Sequence, residues 1–184
     1  LEICRKKGIE VLLLSDRVDE WVTGSLTEFD GKPLQSVAKG GLDLGKLEDV
    51  AEKEEAEKAA VEYKEPPEKV KKALGDKVKD VRVTHRLTDS PSCLVADEYD
   101  LGGNLQRILK AAGQQAPASK PILEINPKHP AVQRLKYEET RFDDWANLLL
   151  EQATLAEGGT LEDPAGFVKR INDLMLALSL GSGR

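Results

Sequence analysis

The chain has 184 residues, 27 basic against 33 acidic, for a formal net charge of −6. Apolar residues make up 40% and aromatics only 4%, so any core is aliphatic, which favours helices over a large β-sandwich. There is no basic block to track phosphates and no run of about 18 apolar residues, which argues against nucleic acid as a main partner and against a membrane span.

The chain begins at Leu1, in what reads as the middle of a fold, so a piece of a longer protein is expected. Residues 1–42 form a small α/β pattern. The run IEVLLL, Ile9 to Leu14, predicts a strand covered on both faces. SDRVDEWVTGSLTEF then changes to helical spacing, with Val18, Trp21, Val22, Ser25 and Leu26 on one face and Ser15 or Asp16 as cap. DGKP is a turn signal, and LQSVA predicts a short returning strand.

Residues 43–76 are dense in Glu, Lys and Ala and predict a charged linker helix. Pro66 and Pro67 should break it. A short helix restarts at Glu68, runs to Leu74 and stops at Gly75.

Residues 77–184 form the third part. VKDVRVTHRL, CLVAD and PILEIN predict three strands, and the alternation of Val81, Val83, His85 and Leu87 suits an antiparallel sheet with one covered face. Between the last two strands, Leu101, Leu105, Ile108, Leu109 and Ala112 form a narrow apolar stripe on a helix opened by Gly102 and Gly103. NPKHPAVQRLK follows, with Pro130 at the first helical position.

Two long helices close the chain. The first carries Phe142, Trp145, Ala146, Leu149, Ala153 and Ala156 at helical spacing, with Leu148 and Leu155 widening the band. The second carries Phe167, Val168, Ile171, Leu174, Met175 and Leu178, with Leu176 and Leu180 to one side. Gly158 and Gly159 end the first; Asp163 caps the second and Pro164 starts it. A surface helix needs one apolar stripe, so these leucines exceed what one core requires. Two covers are open on this ground alone: a second copy of the chain, or residues 78–126 of the same chain.

Chemistry-bearing patterns are absent. Cys4 and Cys93 form no CxxC and read as free thiols of a reducing cytosol. His85 and His129 have no ligand spacing, and no GxGxxG, GxxxxGK[ST] or GxSxG occurs. No catalytic, cofactor or metal residue is assigned.

Three stretches resemble one family in the correct order. EVLLLSDRVDEW with LTEFDGKPLQSV resembles the end of the middle domain of the ninety-kilodalton heat-shock chaperones, in their bacterial branch. VKDVRVTHRLTDSPSCLVADEY resembles the sheet of their C-terminal domain, and NPKHPAVQRL with LLLEQATLAEGGTLEDPAGFVKRINDLM resembles their terminal helices. The resemblance implies a cytoplasmic, ATP-dependent homodimeric chaperone of the stress response. Its ATP and magnesium site and its catalytic arginine lie upstream of this chain, which is then no enzyme by itself. The implied fold is α+β: the α/β unit, the charged linker helix, the three-stranded antiparallel sheet, and a helix pair that forms a four-helix bundle between subunits.

The resemblance also implies roles. Trp145, Leu148, Leu149, Leu155, Phe167, Ile171, Leu174, Met175 and Leu178 would form the dimer interface. Leu101, Leu105, Ile108 and Leu109, with Glu20 and Trp21, would face unfolded client proteins, and other chaperones are further partners. The alternatives are core packing for the 101–112 helix and for Trp21. For the whole chain they are a purely structural dimer module or a regulatory lobe of an unrelated enzyme.

Overall fold

The computed structural model describes residues 1–14, 16, 18–42, 44, 65–97, 113 and 119–181. Residues 1–42 hold two short helices, α1 (Glu2–Lys6) and α2 (Asp19–Ser25), and a hairpin of β1 (Glu28–Phe29) and β2 (Lys32–Pro33). Asp30 and Gly31 both take positive φ, 50° and 71°, as a tight two-residue hairpin turn demands. The expected strand at Ile9–Leu14 does not form. That run is unpaired, and Leu13 is 78% exposed. No strand of the described residues lies beside it, and without a neighbour its N–H and C=O groups find no ladder.

The expected cap of α2 is also corrected. Val18 occupies the N-cap position without a side-chain bond. Asp16 instead accepts the Val18 N–H at 3.2 Å, and its own N–H donates to Asp19 at 2.7 Å. Most of the predicted linker helix falls at 45–64, outside the described residues. Helix α3 (Glu65–Leu74) begins before the two prolines rather than after them. Pro66 and Pro67 sit in its first turn, where no intrahelical donor is lost, and both are buried. At its far end the Lys71 ammonium donates to the carbonyls of Gly75 and Val78, at 2.9 and 2.5 Å.

Three strands follow: β3 (Asp80–Val83), β4 (Ser92–Val95) and β5 (Ile122–Ile125). Their order is β3-β5-β4, with β5 parallel to β3 and antiparallel to β4. The sheet is therefore mixed, not antiparallel as expected. The reason lies in burial. All four residues of β5 are buried, whereas β3 and β4 each keep partly exposed positions. The most buried strand takes the centre, and the chain must cross over to place it there. The predicted alternation also ends early: β3 stops at Val83, and beyond it Thr84, Arg86 and Leu87 are buried while His85 is exposed.

Helix α4 (Pro130–Arg134) starts at Pro130 as expected, with His129 Nδ1 accepting the Ala131 N–H at 3.2 Å. Helix α5 (Phe142–Ala156) packs across β4 and α3. The core joins Val70 and Leu74 of α3 to Val81, Leu123 and Ile125 of the sheet and to Ala146, Leu149, Leu150 and Ala153 of α5. Helix α6 (Pro164–Gly181) supplies none of that cluster. It starts as predicted, with Asp163 Oδ1 accepting the Gly166 N–H at 2.9 Å. Asp163→Ala should therefore cost about 1 kcal/mol. Chemical denaturation should show this as a lower midpoint with an unchanged slope.

Candidate functional site

Helix α6 leaves most of its apolar residues uncovered. Among its described side chains only Leu174 is buried. It is fastened to α5 largely by polar contacts. Arg170 donates to both oxygens of Glu151, at 2.9 and 3.2 Å, and lies 3.6 Å from Asp144. Arg141 donates to the Asp173 carbonyl at 2.8 Å. Beside this contact the Arg134 guanidinium covers the Trp145 ring at 5.6 Å, and both border a cleft of about 290 Å³ that reaches Leu174 and Leu178.

The remaining apolar face of α6 is open. Val168, Ile171, Met175 and Leu178 follow at steps of three, four and three residues, the repeat of a coiled-coil seam. Met175 is 62% exposed; Val168 and Leu178 are exposed and Ile171 is half-buried. Leu176 and, on α5, Leu155 extend the exposed apolar surface.

The predicted interface residues therefore divide. Leu148, Leu149 and Leu174 are buried inside the protomer, Leu149 to 1% exposure. Trp145, Phe167 and Ile171 are half-buried. Leu155, Met175 and Leu178 are exposed. Val168 was not in the predicted set, although the three-and-four spacing from Ile171 and Met175 marks it.

A second apolar surface lies around α2. Trp21 is 72% exposed on α2, so it is not a core aromatic of this chain. Val22 on the same helix is exposed, as are Val18 and Leu26 at its two caps. Glu20 lies on α2, but its side chain is outside the described residues. Leu101, Leu105, Ile108 and Leu109 also lie outside them.

Between these surfaces is a charged cluster that the residue pattern did not reveal. Glu124, central in β5, is buried and binds two arginines. Arg82 reaches it at 2.7 Å and Arg86 at 2.5 Å. The same guanidinium groups donate outward to residues 37–40: Arg82 to the Gly40 carbonyl at 2.7 Å, Arg86 to Gly40 at 2.9 Å and to Val37 at 2.7 Å. The predicted LQSVA strand does not form; one residue past it, Lys39 makes an isolated parallel bridge with Ala96. Cys93 lies 3.9 Å from Glu124, and burial, then the Glu124 charge, push its thiol up to about 12. Such a thiol is inert at neutral pH.

A family model described as Hsp90 protein matches residues 1–183. The chain is 83% identical over 179 residues to chaperone protein HtpG of Dechloromonas aromatica, across 97% of this chain and 28% of that protein. It is 77% identical over 183 residues to chaperone protein HtpG of Aromatoleum aromaticum, across 100% of this chain and 28% of that protein. To the protein of that name from Nitrosomonas europaea it is 66% identical over 176 residues, across 96% and 28%. The chain thus spans 28% of the length of these curated relatives.

Proposed function

The chain belongs to the Hsp90 protein family, in its bacterial HtpG branch, and from that premise we propose that it is the dimerising and client-facing part of an ATP-dependent chaperone. The observation that carries the reading is the seam Val168–Ile171–Met175–Leu178 on a helix that gives the protomer one buried side chain, Leu174, and none to its main core cluster. A second copy of α5 and α6 covers that seam across a two-fold axis and completes a four-helix bundle. The exposed Trp21 surface and the 101–112 stripe take apolar segments of unfolded proteins. Residues 1–42 would end a middle domain, and the rest would be the C-terminal domain.

Nucleotide chemistry falls to the remainder of the longer protein. No group of three or more His, Cys, Asp or Glu that could hold a metal ion occurs among the described residues. No helix of the described residues is long and apolar enough to cross a membrane. A cytoplasmic location is part of the proposal.

Light scattering tests the dimer. The chain should run at twice its own mass at micromolar concentration, with each protomer covering on the order of 800 Å². A monomeric mass would overturn the reading. For the client surface, Trp21→Ser should weaken suppression of the aggregation of an unfolded protein and leave the melting temperature unchanged, since so exposed a ring holds little of the fold. A large fall in melting temperature with unchanged suppression would assign Trp21 to the fold instead.

A further inference from the structure

The junction between the 1–42 unit and the sheet is built around one carboxylate. Glu2, on α1, reaches the loop after β3 and accepts the N–H groups of Thr88 at 2.5 Å, Asp89 at 2.7 Å and Ser90 at 3.2 Å. The Ser90 hydroxyl donates to it as well. The neighbouring Ile3 N–H donates to the Arg86 carbonyl at 3.1 Å. The stretch RLTDSP, which helped to carry the resemblance, thus acts as an anion cradle, because its backbone turns three successive N–H groups towards one carboxylate. Burial opposes ionisation of Glu2. The Ser90 hydroxyl and the N–H groups of Asp89, Thr88 and Ser90 outweigh it and hold the carboxyl at about 2.

We propose that residues 86–90 are a socket for α1 and that the Glu2 carboxylate is a reversible lock, holding α1 against the sheet's loop and releasing it without unfolding the rest. Three features make the contact reversible. Its apolar part is small: Ile3 and Cys4 are the buried hydrophobic residues of the 1–42 unit. Polar junctions exchange their bonds with water at low cost, which large apolar ones cannot do. The second attachment, at residues 37–40, is polar as well: the Val37 and Gly40 carbonyls on the arginines, and two backbone hydrogen bonds with Ala96 at 3.0 and 3.1 Å. Arg82, Arg86 and Glu124 all belong to the sheet and its loop, so they stay paired when the neutral carbonyls leave.

The lock is also well placed to pass a movement on. Two residues beyond Ser90, the Ser92 hydroxyl donates to the Leu149 carbonyl in α5 at 2.8 Å. A displacement of α1 acts on the loop that enters β4, and β4 carries α5.

The chain's own thiol reports the lock. Cys4 is buried on α1. Maleimide labelling of the full chain, read by mass on separated peptides, distinguishes Cys4 from Cys93. Glu2→Gln should speed Cys4 labelling about tenfold or more, because several hydrogen bonds to a charge are lost. Ser90→Ala should act in the same direction and less. Hydrogen exchange at Leu123 and Ile125 of β5 should not change. Glu10→Gln, the same charge change at an exposed position of the unit, should leave Cys4 as it was. An unaltered Cys4 rate in both variants overturns the proposal. So does a Cys4 rate that rises in step with β5 exchange, or a Glu2→Gln chain that fails to fold, since either ties Glu2 to global stability rather than to a separable joint.

Discussion

Glu124→Leu should destabilise the chain by roughly 3–5 kcal/mol, the usual result of removing one partner of a buried ion pair. The residue loses its own charge, which is harmless. The cost falls on Arg86, whose side chain is 6% exposed and which then faces leucine in place of a carboxylate at 2.5 Å. Arg82 is 35% exposed and can turn to water, so it contributes less. The arginines also lose the anion that aims them at Val37 and Gly40, so the 1–42 unit should loosen in the same variant. Urea unfolding followed by circular dichroism reads the effect. Replacing Glu124, Arg82 and Arg86 together by apolar residues should recover much of the loss, because no buried charge is left alone. If the single variant loses less than about 1 kcal/mol, the size of a neutral hydrogen bond, water reaches Arg86 and the cluster is no buried pair.

The double variant Val168→Glu, Met175→Glu should turn a dimer into a folded monomer. Both side chains are exposed in the protomer, so the charges are solvated there and the fold keeps its stability. In the proposed bundle the same positions meet a second apolar seam. Each association would bury four carboxylates, and at roughly 1–3 kcal/mol apiece this weakens the dimer by a factor on the order of a thousand or more. Light scattering at micromolar concentration should give the single-chain mass with an unchanged circular dichroism melt. Leu149→Glu and Leu174→Glu make the wrong experiment. These residues are 1% and 3% exposed within the protomer, so charges there unfold the chain before they separate subunits. A double variant at 168 and 175 that remains dimeric would place the interface elsewhere.

Much of the fold was legible because its signals are local. Helices α5 and α6 carry their own periodicity, and Gly158, Asp163 and Pro164 mark their ends. The hairpin turn needs only Asp30 and Gly31, and the start of α4 needs only His129 and Pro130. Family membership was legible for a different reason: long stretches in the right order identify a fold without any contact being known.

What the tertiary structure alone decided was everything that depends on a neighbour. IEVLLL has the composition of a buried strand, yet a strand exists only beside another, and the described residues offer it none. Strand order depends on which strand is covered on both faces, so PILEI became the centre of a mixed sheet. The surplus leucines could not be divided by spacing, since Leu149 and Met175 look alike along the chain; only packing buried the first and left the second open. Glu124 is a lone charged residue in an otherwise apolar strand. Arg82 and Arg86, 42 and 38 residues away, made its burial tolerable, and no short-range pattern connects charges so far apart.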